Sequence, residues 1–207
     1  ITVLVDPAGL TFVQDKGPGG AKGAAAVIYK WLEISEDESF PEDVRQAITE
    51  ECHAKYHSYA DDKKKCIHVV GPDFRKIDDM DFTEDNAVDK LAVAYRNVFE
   101  EFCKVGAEHG LKNMRLLPIS GGIFSGRFKE NLPEITVRAV QAAYEQLGKD
   151  KKQYIMGSSI EMCIFMESEF NMFASAFKPW RSESSSEASE KSTAEPGISP
   201  VAEYDIL

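Results

Sequence analysis

Short apolar runs alternate along this chain with longer amphipathic stretches, and this alternation constrains the fold more than any other feature. Residues 1–5 (Ile-Thr-Val-Leu-Val) read as a strand, as do residues 66–70, 114–119 and 160–166. Helical spacing marks residues 24–34, 41–56, 84–109, 131–147 and 169–177. In the longest of these, Val88, Leu91, Tyr95, Val98, Phe99, Phe102 and Val105 recur every three or four residues, and Gly110 closes the helix. Pro41, followed by Glu42 and Asp43, marks another helix start. Strands joined through helices in this order need right-handed crossovers and a largely parallel sheet. The strands are mostly continuous apolar runs, so both faces of the sheet are buried under helices. The class is α/β.

Charge limits the partners. The 207 residues carry 24 Lys and Arg against 35 Asp and Glu, a net −11 with neutral histidine. Such a balance argues against a protein that binds nucleic acid through a broad basic face. A local pocket for one small anion stays compatible with it. No stretch approaches the roughly 20 apolar residues of a membrane span. Residues 1–5 are apolar but too short for a signal peptide, and no basic leader precedes them. Cys52, Cys66, Cys103 and Cys163 are scattered, with no metal-ligand spacing, and read as reduced thiols of an intracellular protein, cytoplasmic or nuclear. His53 and His57 are four residues apart on the expected helix but lack a third ligand, so no metal is implied. Residues 178–207 hold three basic and six acidic residues and, over 182–200, almost no large apolar side chain. They read as a disordered acidic, Ser-rich tail behind a folded unit of residues 1–177.

Two glycine-rich loops fall where strands of such a sheet end. Residues 16–23 (Lys-Gly-Pro-Gly-Gly-Ala-Lys-Gly) follow the first strand and open a helix. Residues 120–126 (Ser-Gly-Gly-Ile-Phe-Ser-Gly) follow the third strand directly. Glycine lets a backbone approach a ligand closely, and a following helix adds its positive end. A diphosphate held from two sides suits two such loops at one sheet edge. Common nucleotide motifs fail. Gly121 and Gly126 have P-loop spacing, but Arg127-Phe128 follows in place of Lys and Ser or Thr, and the first loop lacks the third glycine of a dinucleotide fingerprint.

Four segments, in order and spacing, resemble a macrodomain, the ADP-ribose-binding module. They are Gly19-Gly20, Gly23-Ala24 opening a helix; Ile67-His68-Val69-Val70-Gly71-Pro72 on a strand; Tyr95-Arg96-Asn97 in the long helix; and Leu117 to Gly126, with Pro118, Ser120, Gly122 and Phe124 as its markers. The resemblance covers residues 1 to about 177. It implies a three-layer α/β/α sandwich with a mixed, mainly parallel sheet, whose first strands would lie before Ile1. It also implies that Gly19, Gly20 and Gly23 face one side of a diphosphate. Ser120, Gly121, Gly122, Ile123 and Phe124 would wrap the other side, with Phe124 against the distal ribose. Residues 167–170 would border the adenine. Core packing is the alternative for Phe124 and Phe170, and His68 reads as a packed core histidine.

The chain departs from the family where chemistry occurs. Hydrolytic members run from the first strand into Asn-Ala-Ala-Asn; here the stretch is Asp6-Pro7-Ala8-Gly9. Lys22 stands where many active members carry an Asp that activates water. A cation there can pair with a phosphate, attack the anomeric carbon, or simply be solvated. The resemblance therefore implies binding of ADP-ribose or an ADP-ribosylated protein, with no cofactor and no assigned catalytic residue. Two alternatives stay open: hydrolysis of an ADP-ribosyl bond or of ADP-ribose phosphate, and an interaction scaffold or RNA-binding module without turnover. The acidic body makes RNA the weaker partner.

Overall fold

In the computed structural model, residues 1–79, 81–186 and 198–202 are described. Six strands form one sheet: β1 (Thr2–Ala8), β2 (Ala54–Tyr59), β3 (Lys64–Val70), β4 (Asn113–Leu116), β5 (Ser159–Ile164) and β6 (Ile198–Ala202). Their order is β2-β3-β1-β4-β5-β6. Only β2 runs antiparallel, to β3; the other pairings are parallel, with Asp6 beside His68 and Val5 beside Leu116. The helices are α1 (Ala24–Leu32), α2 (Glu42–Ala47), α3 (Glu84–His109), α4 (Leu132–Glu145), α5 (Lys149–Met156) and α6 (Glu167–Ser186).

Side chains alternate across the strands and divide the core into two layers. Val3, Val5, Ile67, Val69, Met114, Leu116, Ile160 and Met162 join a large apolar cluster with α3, α4 and the start of α6. Leu4, Ala8, Cys66, Val70 and Cys163 point the other way, against Ile28, Tyr29 and Leu32 of α1 and Val44 of α2. With both faces covered, the molecule is a three-layer α/β/α sandwich around a mixed, mainly parallel sheet. In α3, Leu91, Tyr95, Val98, Phe99 and Phe102 have no exposed surface. Each fully buried side chain of that size contributes roughly 1.5–3 kcal/mol, which makes α3 the main anchor of the larger layer.

The structure differs from the sequence expectation in three places. The helix expected over 41–56 stops at Ala47, and residues 54–59 form edge strand β2. Ala60, Asp61 and Asp62, all with positive φ, turn this strand into β3 as a hairpin. His53 and His57 are therefore not neighbours on a helix; His53 pairs with Glu50 and His57 with Asp43. Helix α5 is an extra element between α4 and β5. Residues 178–207, expected to lack structure, are described in two parts: 178–186 continue α6, and 198–202 form β6 beside β5. Residues 187–197 and 203–207 lie outside the described residues. No described helix is long and apolar enough to cross a membrane.

Candidate functional site

The carboxyl ends of β1, β3 and β4 meet at one edge of the sheet, where such folds hold ligands. A cleft opens there, with Gly9, Leu10, Glu51, Gly71, Ser120 and Phe124 among the residues of its walls. The turn after β4 is held rigidly. Ser120 adopts a left-handed backbone with φ 60, its Oγ donates to the Pro72 carbonyl at 2.7 Å, and the Ile119 N–H donates to the Tyr95 hydroxyl at 3.0 Å. A Cβ at Gly71 would lie 2.5 Å from both Ile119 Cγ2 and Ser120 Oγ, so the approach of β3 to this turn demands glycine. A left-handed Ser costs roughly 1–2 kcal/mol and persists only where its surroundings over-determine it.

Phe124 forms one side of the cleft. A Cβ at Gly9 would sit 3.2 Å from the Phe124 ring, and the Arg75 guanidinium lies 4.7 Å from the ring centroid. Arg75 is itself fixed: Nε and Nη2 donate to the two Asp73 carboxylate oxygens, each at 2.8 Å. Those hydrogen bonds hold the Asp73 carboxyl below the usual carboxylate range and push Arg75 up. The Asp73 N–H donates to Glu51 Oε1 at 3.1 Å.

The first glycine loop runs from a short π-helical turn, Phe12–Lys16, into α1. Gly23 caps α1 with no side-chain hydrogen bond to its first turn. Gly20 and Gly23 have φ 74 and 63, and a Cβ on either would meet nothing within 4 Å. Gly122, φ 58, is open in the same way on the second turn. Of the nine residues expected to bind ligand, Ser120 and Phe124 line the cleft, and Gly121, Gly122 and Ile123 belong to the same turn. Ile123 is 69% exposed. Gly19, Gly20, Lys22 and Gly23 lie on the loop entering α1, outside the walls of this cleft, and Lys22 is exposed.

Beneath the cleft, on the α1 side of the sheet, lies a buried polar chain. Asp6 Oδ2 is 2.8 Å from His68 Nδ1, and His68 Nε2 is 2.7 Å from the Tyr59 hydroxyl. Asp6 and His68 have no exposed surface, and Phe40 stacks edge-on against the imidazole at 5.2 Å between centroids. Burial, and after it the Asp6 charge, push the nearby Tyr29 hydroxyl well above its ordinary value. His68 is thus a packed core histidine, as its position suggested, although a hydrogen-bonded one. Phe170 is half-buried against the larger apolar cluster. The four cysteines are free, and all but the half-buried Cys52 are buried. Among the described residues no group of three or more His, Cys, Asp and Glu could hold a metal ion.

Glu51 and Leu10 were not singled out by the sequence. Glu51 sits in a stretch whose spacing suggested a helix, far along the chain from the glycine motifs, and no local signal marks it.

No protein-family model and no curated protein matches this chain. Solved structures do. An alphavirus P23pro-zbd structure aligns over 86% of this chain at 21% identity with a TM-score of 0.56; the chain spans only 21% of that protein. The Oceanobacillus iheyensis macrodomain with ADP aligns over 87% of this chain and 85% of its own, at 18% identity and a TM-score of 0.56. The Trypanosoma brucei macrodomain in complex with ADP-ribose aligns over 83% of this chain and 61% of its own, at 15% identity and a TM-score of 0.51. At these identities the likeness is one of architecture, and the architecture is the macrodomain fold.

Proposed function

We propose that this chain, which has the macrodomain fold, binds ADP-ribose, free or attached to a protein, at the carboxyl edge of its sheet. The observation that carries this reading is the pair of glycine turns. Gly20 and Gly23 on one turn and Gly122 on the other hold positive φ and border open space, so the backbone there permits close approach of a ligand. In this reading Gly19, Gly20 and Gly23 meet one side of the diphosphate, and Ser120 to Phe124 wrap the other. The uncapped start of α1 adds its positive end. Backbone amides bind a diphosphate without a basic surface, which reconciles the site with a net charge of −11. Structures with ADP and with ADP-ribose among the architectural neighbours support the choice of ligand. Binding is favoured over turnover because Lys22 is exposed and outside the cleft walls, and Gly9 stands where hydrolytic members carry Asn.

Calorimetry with ADP-ribose, AMP and a short RNA tests this. Heat is expected with ADP-ribose, and Gly122→Glu is expected to abolish it because the added carboxylate repels the diphosphate. Gly122→Ala carries the same backbone strain without the charge and separates the two effects. Silence with ADP-ribose overturns the proposal, and heat with RNA alone replaces it with an RNA-binding scaffold. Loss of the label from a mono-ADP-ribosylated protein incubated with the chain would make it a hydrolase.

A further inference from the structure

Among the described residues that wall the cleft, Glu51 is the one ionisable side chain. Its place is fixed from three directions. The Cys52 N–H donates to the Val70 carbonyl at 2.6 Å, Asn97 Nδ2 donates to the Cys52 carbonyl at 2.8 Å, and the Asp73 N–H reaches Glu51 Oε1 at 3.1 Å. Cys52 is held left-handed, φ 69, so β3, α3 and the turn after β3 together pin a bend that an L-residue rarely adopts. The cations of that turn are engaged elsewhere: Arg75 and Lys76 pair with Asp73 at 2.8 and 3.6 Å. Among the described ion pairs none involves Glu51, and its Oε2 takes no described hydrogen bond. An ionised carboxylate only accepts hydrogen bonds. It therefore suits the vicinal hydroxyls of a sugar, as acidic residues do at other ribose sites, and it opposes a second anion beside it.

We infer that Glu51 sets which end of a ligand enters this part of the cleft, and so the ligand class. It accepts hydrogen bonds from the hydroxyls of a neutral sugar that follows a diphosphate and turns away ligands with a further phosphate in that position. The inference rests on the proposed nucleotide reading. ADP-ribose, ADP and ATP probe it, since they share the adenosine diphosphate and end in a sugar, in nothing and in a phosphate. The intact chain should bind ADP-ribose most tightly and ATP most weakly. Glu51→Ala should lower the affinity for ADP-ribose about tenfold, the scale of a lost charged hydrogen bond, and leave ADP unchanged. Glu51→Gln keeps the acceptor for the Asp73 N–H, and hence the fold, but should raise ATP binding toward that of ADP. That arm stands even if the alanine variant fails to fold, which thermal melting reports. Equal affinities for the three ligands in the intact chain, or variants that leave their ratios unchanged, overturn the role of Glu51 while ADP binding upholds the nucleotide reading. Absence of binding by all three overturns both.

Discussion

Asp6 and His68 meet across β1 and β3 at a depth where neither has exposed surface, and the imidazole links the Asp6 carboxyl on one side to the Tyr59 hydroxyl on the other. Removing the imidazole strands the buried Asp6 carboxyl and takes a partner from Tyr59, which costs about 3–5 kcal/mol. His68→Ala is therefore expected to lose stability on that scale in urea titration. Asp6→Asn, which keeps an acceptor facing the ring, should lose much less. A loss from Asp6→Asn as large as that from His68→Ala would show that the site requires the carboxylate itself and not merely an acceptor facing the ring. Three residues after Asp6, just past the end of β1, Gly9 stands where the macrodomain resemblance places an Asn. Gly9 does not merely lack an amide; the Phe124 ring lies against it, with Arg75 over that ring. A side chain at this position would press the Phe124 ring back by a few tenths of an ångström. In the reading proposed above, polar contact with the ligand at this end of the cleft falls to Glu51, which enters from outside β1.

Elements with strong internal signals were legible, and those defined by their neighbours were not. Helix α3 announces itself twice, by its apolar spacing and by its ends. Thr83 Oγ1 accepts from the Asn86 N–H at 3.3 Å, Asn86 Oδ1 accepts from the Thr83 N–H at 2.8 Å, and Gly110 closes the helix left-handed. Thr83→Ala should cost about 1 kcal/mol in chemical denaturation; an unchanged midpoint would mean that the cap is redundant to the packing of this helix. Strand β2 shows the opposite case. Its residues Lys55, Tyr56, His57 and Ser58 carry no apolar alternation, and the strand forms because β3 offers an edge and the Ala60–Asp62 turn delivers the chain to it. Propensity read residue by residue extends α2 instead. The same contrast runs through the site. The turn from Ser120 to Phe124 is one continuous motif, legible in a single stretch of sequence. Glu51 reaches the cleft only because the misread segment bends at Cys52 and is tied to α3 by Asn97. The carboxyl-terminal segment, poor in large apolar residues, joins the sheet through backbone pairing of β6 with β5, a contribution that side-chain composition does not record.

At the scale of the whole molecule, sandwiching the sheet between two helical layers places thiols in the interior on both of its faces. Cys103 packs in the larger cluster, while Cys66 and Cys163 pack in the smaller. Burial pushes Cys52, Cys103 and Cys163 each up to about 11, and Cys66 well above its ordinary value. Tyr59 and Tyr95 are raised as well, by burial first. A thiol raised on folding stays protonated in the native state at a pH where the unfolded chain has released its proton. The unfolded state then binds fewer protons, and stability falls as pH rises. The full contribution is present below the ordinary thiol value of about 8.5 and is lost as pH climbs toward 11. Self-repulsion in a chain already at −11 acts in the same direction, so the intact protein alone cannot separate the two. Replacing Cys52, Cys103 and Cys163 by Ala removes the contribution of those three thiols while leaving Cys66 and the acidic surface untouched. In urea titrations between pH 8 and 10.5, the intact chain should lose stability more steeply than the triple variant, whatever their difference at pH 8. Equal slopes would assign the alkaline loss to surface charge, tyrosines and Cys66, and would mean that the three replaced thiols are less enclosed by the two layers than the sandwich requires.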